Sequence, residues 1–200
     1  TVDFINQRKL DELEGEQMLF QGNVQGEFPV NSLPTPMELI LKIGAQVLFV
    51  KHDQEKRWVN GTLGTITGVD EEGYNYITIL LENGLEFDVE REVWSNMRYT
   101  FDETEKKIVE EEIGTYTQFP IRLAWAITVH KSQGLTFSNV KIDFTGGVFA
   151  AGQTYVALSR CKSLEGISLN LPIRRGDIFV NRAVVDFARN YNDNARSEER

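Results

Sequence analysis

Apolar positions follow two rhythms along this chain, and the rhythm changes near residue 120. The opening "VDFINQRKLDEL" spaces Val2, Ile5, Leu10 and Leu13 at roughly helical intervals with charges between them, which predicts an amphipathic helix. "MLFQGNVQGEF" reads as a short hairpin turning at Gly22 and Asn23, and the proline-marked "SLPTPMEL" reads as a linker. Next come "LILKIGAQVLFVK", "GTLGTITGV", "YITILLENGLEFDVE" and "VWSNMRYTF", rich in β-branched and aromatic residues and punctuated by Asn60-Gly61, Glu72-Gly73 and Asn83-Gly84. Roughly five strands at this spacing predict a small antiparallel barrel, and "EKKIVEEEIGTYTQFP" leads out of it as a strand or hairpin.

Beyond Pro120 the pattern alternates. "IRLAWAITVHKSQ" is apolar and helix-capable, "NVKIDF" is a short strand, "GQTYVALSRC" a helix, "ISLNL" a strand and "NRAVVDFARNY" a terminal amphipathic helix, with a polar tail "YNDNARSEER" expected to fray. Such alternation implies a parallel or mixed sheet flanked by helices. The expected architecture is an α/β domain interrupted by a β-barrel: 1–36 opens the domain, 37–100 is the barrel, 101–120 leads back, and 121–200 completes the domain.

Composition refines this picture. At 200 residues and 41% apolar content the chain can bury a sizeable core. Its net charge of −9 argues against coating nucleic acid by bulk electrostatics, but the charge is uneven. Residues 1–120 carry 10 basic and 23 acidic side chains, and residues 121–200 carry 11 basic and 7 acidic, so a polyanion should prefer the last third. Cys161 is the sole cysteine, which excludes an internal disulfide and makes a reducing, cytoplasmic setting the simplest one. No Cys/His spacing suits zinc, no apolar run approaches the roughly 20 residues that span a bilayer, and the polar start is no signal peptide. An opening at Thr1, already inside or at the edge of a helix, implies a piece of a longer polypeptide.

Candidate chemistry concentrates in "LAWAITVHKSQGLTFSNVKIDF", residues 123–144. A helix breaking at "KSQG" would deliver His130, Lys131, Ser132 and Gln133 to a strand-end edge, where ligands sit in layered α/β sheets. Lys131 can attract a phosphate, Thr128 and Ser132 can donate hydrogen bonds to phosphate oxygens, and Gly134 admits close backbone approach. The competing reading is a plain helix end capped by Gly134 with its polar residues solvated. Arg160 follows an apolar helix in "YVALSRCKSLEG", between Ser159 and Lys162, and on its own reads equally as a charge complementing a helix dipole.

Taken together, "AWAITVHKSQGLTF" resembles motif V and "GQTYVALSRCKSLEG" resembles motif VI of superfamily 1 DNA helicases in the Pif/RecD branch, in matching order and spacing. "WVNGTLGTI" is similar to the small Src-homology-three-type barrel that these helicases insert in their second motor domain, and "VDFINQRKL" to the helix after their motif IV. The resemblance covers residues 1–190. It implies a partial RecA-like motor domain of the P-loop NTPase type, carrying an inserted antiparallel barrel, from an ATP-dependent DNA helicase that travels 5′ to 3′.

The resemblance also implies roles. Arg160 would reach the γ-phosphate of ATP held by the opposite motor domain. Thr128, His130, Lys131 and Ser132 would face single-stranded DNA phosphates, with Gln133 and Gly134 linking that surface to the nucleotide. Thr136 stands where the UvrD branch has a sugar-contacting glutamate, so that contact does not carry over. In the barrel, Lys51, His52, Lys56, Arg57 and Trp58 are candidates for phosphate contact or base stacking; the alternative, favoured by the surrounding acid, is that Trp58 and Trp94 only pack the barrel. No G-x-x-x-x-G-K-[ST] loop or acidic strand end for magnesium occurs, and "GGVFAAGQT" lacks the lysine. ATP and Mg²⁺ would therefore belong to a first motor domain, which joins single-stranded DNA and duplex junctions as a partner. Two other readings stand beside this one: a stand-alone nucleic-acid-binding module, and a protein-interaction domain favoured by the acidic first 120 residues. An arginine aimed across a cleft contributes little to packing, so Arg160→Ala is expected to leave the fold intact.

Overall fold

The computed structural model describes residues 1–70, 72 and 74–198, with side chains as far as Asn190. Gly73 of the expected Glu72-Gly73 turn lies outside the described residues, as do Glu199 and Arg200. The chain divides into two compact units, Thr1–Ala126 and the remainder from Ile127.

The first unit opens with helix α1 (Val2–Glu12), whose N-terminus is capped by the Thr1 hydroxyl accepting from the Phe4 amide and whose inner face buries Asn6 and Leu10. Strands β1 (Met18–Gln21) and β2 (Asn23–Gly26) follow directly, but they form no hairpin. Instead β1 pairs antiparallel with β3 (Glu38–Leu41), and β2 pairs with β9 (Lys107–Gln118). Phe20 explains the departure. In β1 it is 1% exposed and packs edge-to-face on Phe119 at 5.3 Å, a burial that a two-stranded hairpin in water cannot supply.

Strands β4 (Gln46–Phe49), β5 (Leu63–Val69), β6 (Tyr76–Leu81) and β7 (Glu86–Glu90) form successive antiparallel pairs, as their apolar alternation requires. Inward Val47, Phe49, Ile66, Ile77, Ile79 and Val89 make the core. Gly64 has to be glycine, because a β-carbon there would stand 2.4 Å from Ile79 Cγ2.

The fifth strand is not the one expected. Strand β8 (Glu92–Asp102), which contains "VWSNMRYTF", joins β9 and β2 in a separate three-stranded sheet. The vacant edge is filled by β10 (Ile121–Leu123), giving the order β10-β4-β5-β6-β7. This corrects the helix expected over "IRLAWAITVHKSQ". Ile121 is fully buried opposite Phe49, Leu123 pairs with Val47, and Gln46 Nε2 donates to the Ala124 carbonyl at 2.8 Å. A short apolar run fits either period, and here the open sheet edge decided it.

The second unit contains β11 (Val140–Ile142), α2 (Gln153–Leu158), β12 (Ile167–Leu169) and α3 (Arg182–Glu198). β11 and β12 are parallel, as the alternation implies, and a parallel bridge joins Phe137 to Cys161. Ile142, Phe144 and Ala157 form a small core against which Val129 and Leu158 pack. Helix α3 runs through Glu198, past Tyr191, where fraying was expected. The fold is thus mixed α/β. Among the described residues no helix is long and apolar enough to cross a membrane.

Candidate functional site

Residues 129–134 form consecutive turns rather than the end of a helix. The Ser132 amide donates to the Thr128 carbonyl at 3.0 Å, and the Lys131 amide donates to the Thr128 hydroxyl oxygen at 3.2 Å. Val129 anchors one side of the turn in the core, and Leu135 is buried at the other. Gly134 carries a φ of +79°, which glycine adopts without strain and which lets the chain reverse into Leu135.

That geometry sorts the candidates. Thr128, His130, Lys131, Gln133 and Gly134 are exposed on the turn. Ser132 is not: it is 4% exposed and its hydroxyl donates to the Val129 carbonyl at 2.7 Å. The expectation that Ser132 faces a ligand phosphate is therefore corrected. Its hydroxyl is turned inward because a buried hydroxyl without a partner is costly.

Arg160 stands against this turn. At the end of α2 its Nε donates to the Val156 carbonyl at 2.9 Å, and its Nη2 to the Ser159 hydroxyl at 2.9 Å. Nη1 crosses to the turn, donating to the Leu135 carbonyl at 3.1 Å and the Ser132 carbonyl at 3.4 Å. Arg160 is thus built into its unit, and the premise that its side chain contributes little to the fold is corrected. All of its acceptors are neutral, and among the described residues no carboxylate pairs with it. Its backbone is fixed separately: the Phe137 amide donates to the Arg160 carbonyl at 2.8 Å. Ser159 was noted beside the arginine but not as its acceptor, and Leu135 was missed in the sequence. A hydroxyl beside the arginine is visible in residue type, whereas a carbonyl acceptor leaves no mark there.

The first-unit candidates are engaged in a different way. Trp58 is 5% exposed and stacks on Phe49 with ring centroids 4.4 Å apart, so it cannot stack on a base. Arg57 lies 4.5 Å above the Trp58 ring and forks onto Asp53, with Nη2 to Oδ1 at 2.8 Å and Nε to Oδ2 at 3.0 Å. That hydrogen bonding holds the Asp53 carboxyl below its ordinary value. Lys51 Nζ donates to Glu92 at 2.7 Å and to the Val93 carbonyl at 3.0 Å. His52 accepts from the Asn60 amide at 3.4 Å. Lys56 is exposed, with no acidic partner among the described residues.

A further polar anchor, unsuspected in the sequence, is Asn6. It is 7% exposed, receives the Ala126 amide at 2.8 Å and donates to the Ala126 carbonyl at 3.0 Å, so it clasps the last residue of the first unit. A signal was present: Asn6 occupies a stripe position one turn before Leu10, where an apolar residue is expected.

Comparison with known proteins gives a consistent answer. No protein-family model matches the chain. It is 36% identical over 169 residues to the ATP-dependent DNA helicase Pif1 of Bdellovibrio bacteriovorus, covering 82% of this chain and 36% of that protein. Its fold matches Bacteroides Pif1 in complex with ADP-AlF4 with a TM-score of 0.84 and 42% identity, covering 96% of this chain and 43% of that one. It also matches Bacteroides Pif1 bound to single-stranded DNA with a TM-score of 0.73 and 42% identity, covering 97% and 44%. The chain therefore spans well under half the length of these relatives.

Proposed function

We propose, on the premise that this chain is a relative of Pif1-type superfamily 1 DNA helicases, that it is the part of such a motor that grips one DNA strand and completes hydrolysis of ATP bound elsewhere. The observation that carries this reading is Arg160. It is pre-positioned by neutral acceptors, has no carboxylate partner among the described residues, and stands against a turn that exposes Thr128, His130 and Lys131.

In this reading the second unit is the RecA-like portion and the five-stranded sheet is the inserted Src-homology-three-type barrel. Thr128, His130 and Lys131 contact strand phosphates, and Ser132 shapes the turn from inside. Gln133 and Gly134, also exposed, face the nucleotide-bearing partner. ATP and Mg²⁺ are held by a first motor domain, since these 200 residues contain no phosphate loop. Arg160 then neutralises charge developing on the γ-phosphate, an effect worth about 10³ to 10⁵ in rate for such arginines. Single-stranded DNA and duplex junctions are the substrates, with 5′ to 3′ travel.

Fluorescence anisotropy of the 200-residue chain with a single-stranded oligonucleotide across a salt series tests the strand-gripping half. Salt-sensitive binding of roughly 10 μM or weaker is expected, because few phosphates are neutralised. The double substitution His130→Ala, Lys131→Ala should remove it. Tight binding indifferent to salt, or unchanged by that double substitution, would place the DNA surface elsewhere. Phosphate release tests the other half: the chain alone should not turn over ATP, and turnover surviving Arg160→Ala at about 1 s⁻¹ would end the assignment.

A further inference from the structure

We infer that Arg160 is a latch: without a phosphate in reach it holds the 128–135 turn closed through backbone carbonyls, and a phosphate that captures its guanidinium releases that turn. The phosphate half of this inference rests on the proposed role of Arg160, and the latch itself rests only on the geometry of the second unit.

A guanidinium has five N–H donors. In Arg160 the Nε donor goes to Val156, the two Nη1 donors go to Leu135 and Ser132, and one Nη2 donor goes to Ser159. One N–H is left. Phosphate prefers a pair of parallel N–H donors from arginine, so a single free donor cannot satisfy it and at least one existing acceptor must be given up. The weakest claim on the side chain is that of the Ser132 carbonyl, at 3.4 Å and already receiving the Leu135 amide at 3.0 Å. A phosphate dianion outcompetes a neutral carbonyl for a charged donor. Capture therefore strips the turn of its outer clasp first.

The turn would loosen without melting. The Ser132 amide still reaches the Thr128 carbonyl, Val129 stays in the core, and the Arg160 backbone stays bonded to Phe137. With the inferred phosphate-bound arrangement, the side chain would have two arrangements on one fixed backbone, which is the kind of two-state element that coupling between sites requires. Phosphate capture and the shape of the surface bearing Thr128, His130 and Lys131 become linked, and linkage is reciprocal: a strand that pulls the turn outward would hand Arg160 to the phosphate.

Amide hydrogen exchange on the 200-residue chain reads the latch directly. In Arg160→Ala the Lys131 and Leu135 amides should lose roughly tenfold or more of their protection, while the Ser132 amide, still bonded to Thr128, and the Val140 and Asn170 amides, which donate to Gly166 and Ile142 at the β11–β12 pair, keep theirs. Unchanged turn protection in that folded variant overturns the latch. If Val140 and Asn170 lose protection as well, Arg160→Lys decides: an ammonium cannot span these acceptors, so selective loss at the turn supports the latch and wild-type protection overturns it. Inorganic pyrophosphate tests the exchange of partners. It should shift the Arg160 Nε–H resonance and expose the turn amides together; a shift without exposure, or no shift at any concentration the protein tolerates, overturns it. Anisotropy on the same samples separates the two readings. Loss of turn protection with undiminished single-strand binding keeps the latch and removes the turn from the DNA surface.

Discussion

Arg57 in the first unit and Arg160 in the second are both half-buried and both bonded along their guanidinium edges, yet their acceptors differ in charge. Arg57 is forked onto a carboxylate and covers an aromatic face, so its charge is neutralised where it stands. Arg160 is held by three carbonyls and a hydroxyl. Hydrogen bonds to neutral dipoles orient a cation without cancelling it. Burial and bonding alike do not disqualify an arginine from acting on a ligand; a carboxylate partner does. The same contrast runs through the wider regions, because the acidic first 120 residues tie Lys51 and Arg57 into ion pairs while Arg160 has no acidic partner among the described residues.

The largest expected effect breaks the pair apart. In a Pif1-type helicase carrying this sequence, Arg160→Ala should lower DNA-stimulated ATP hydrolysis by about 10³- to 10⁵-fold, with roughly 4 to 7 kcal/mol of transition-state stabilisation removed. Arg57→Ala should leave turnover per folded molecule near normal. Steady-state phosphate release measures both, and equal losses would erase the distinction. Arg160→Ala should also lower the melting temperature, since hydrogen bonds to a charged donor contribute about 1.5 to 3 kcal/mol.

Stability of the first unit comes next. Trp58→Ala removes the ring between Phe49 and Arg57 and should cost about 3 to 5 kcal/mol in urea unfolding. A cost below about 1 kcal/mol would mean that Trp58 is free for another purpose. Asn6→Ala leaves the Ala126 amide and carbonyl without their buried partner and should cost about 1 to 3 kcal/mol.

The Asp53–Arg57 pair should show itself in acid. Because hydrogen bonding to Arg57 lowers the folded-state value of the Asp53 carboxyl, its contribution is present above the unfolded value of about 3.9 and is lost as pH falls through the lower folded one. Urea midpoints should therefore show Asp53→Asn weakest relative to wild type near neutrality, with the gap closing below about pH 4. A gap that widens in acid would contradict the pairing. The smallest effect belongs to Lys56→Ala, which should change stability by no more than about 0.5 kcal/mol, since that side chain is exposed and has no acidic partner among the described residues.

Much of the fold was legible in local pattern. The alternation in "YITILLENGLEFDVE" yields β6 and β7, and "NVKIDF" and "ISLNL" yield the parallel pair β11 and β12. The strings around Lys131 and Arg160 marked two stretches that the structure brings together, although the first was read as a helix end and is a series of turns. Where pattern reading failed, the deciding partner was distant. Gly22-Asn23 offered a plausible hairpin, but Phe20 found a better burial beside Phe119.

By itself, then, the amino-acid sequence determined where most strands lie, the α/β alternation of the last third, the uneven charge, and where candidate polar residues cluster. These depend on side-chain type and short-range spacing, which are written along the chain. Tertiary structure decided that Ile121 belongs to a sheet edge, because its partner Phe49 lies far away in sequence. It also turned Ser132 inward and gave Arg160 the carbonyls of Ser132 and Leu135. No sequence pattern could name those acceptors: a backbone carbonyl is chemically the same at every residue, and only the folded path of the chain brings these two within reach of one guanidinium.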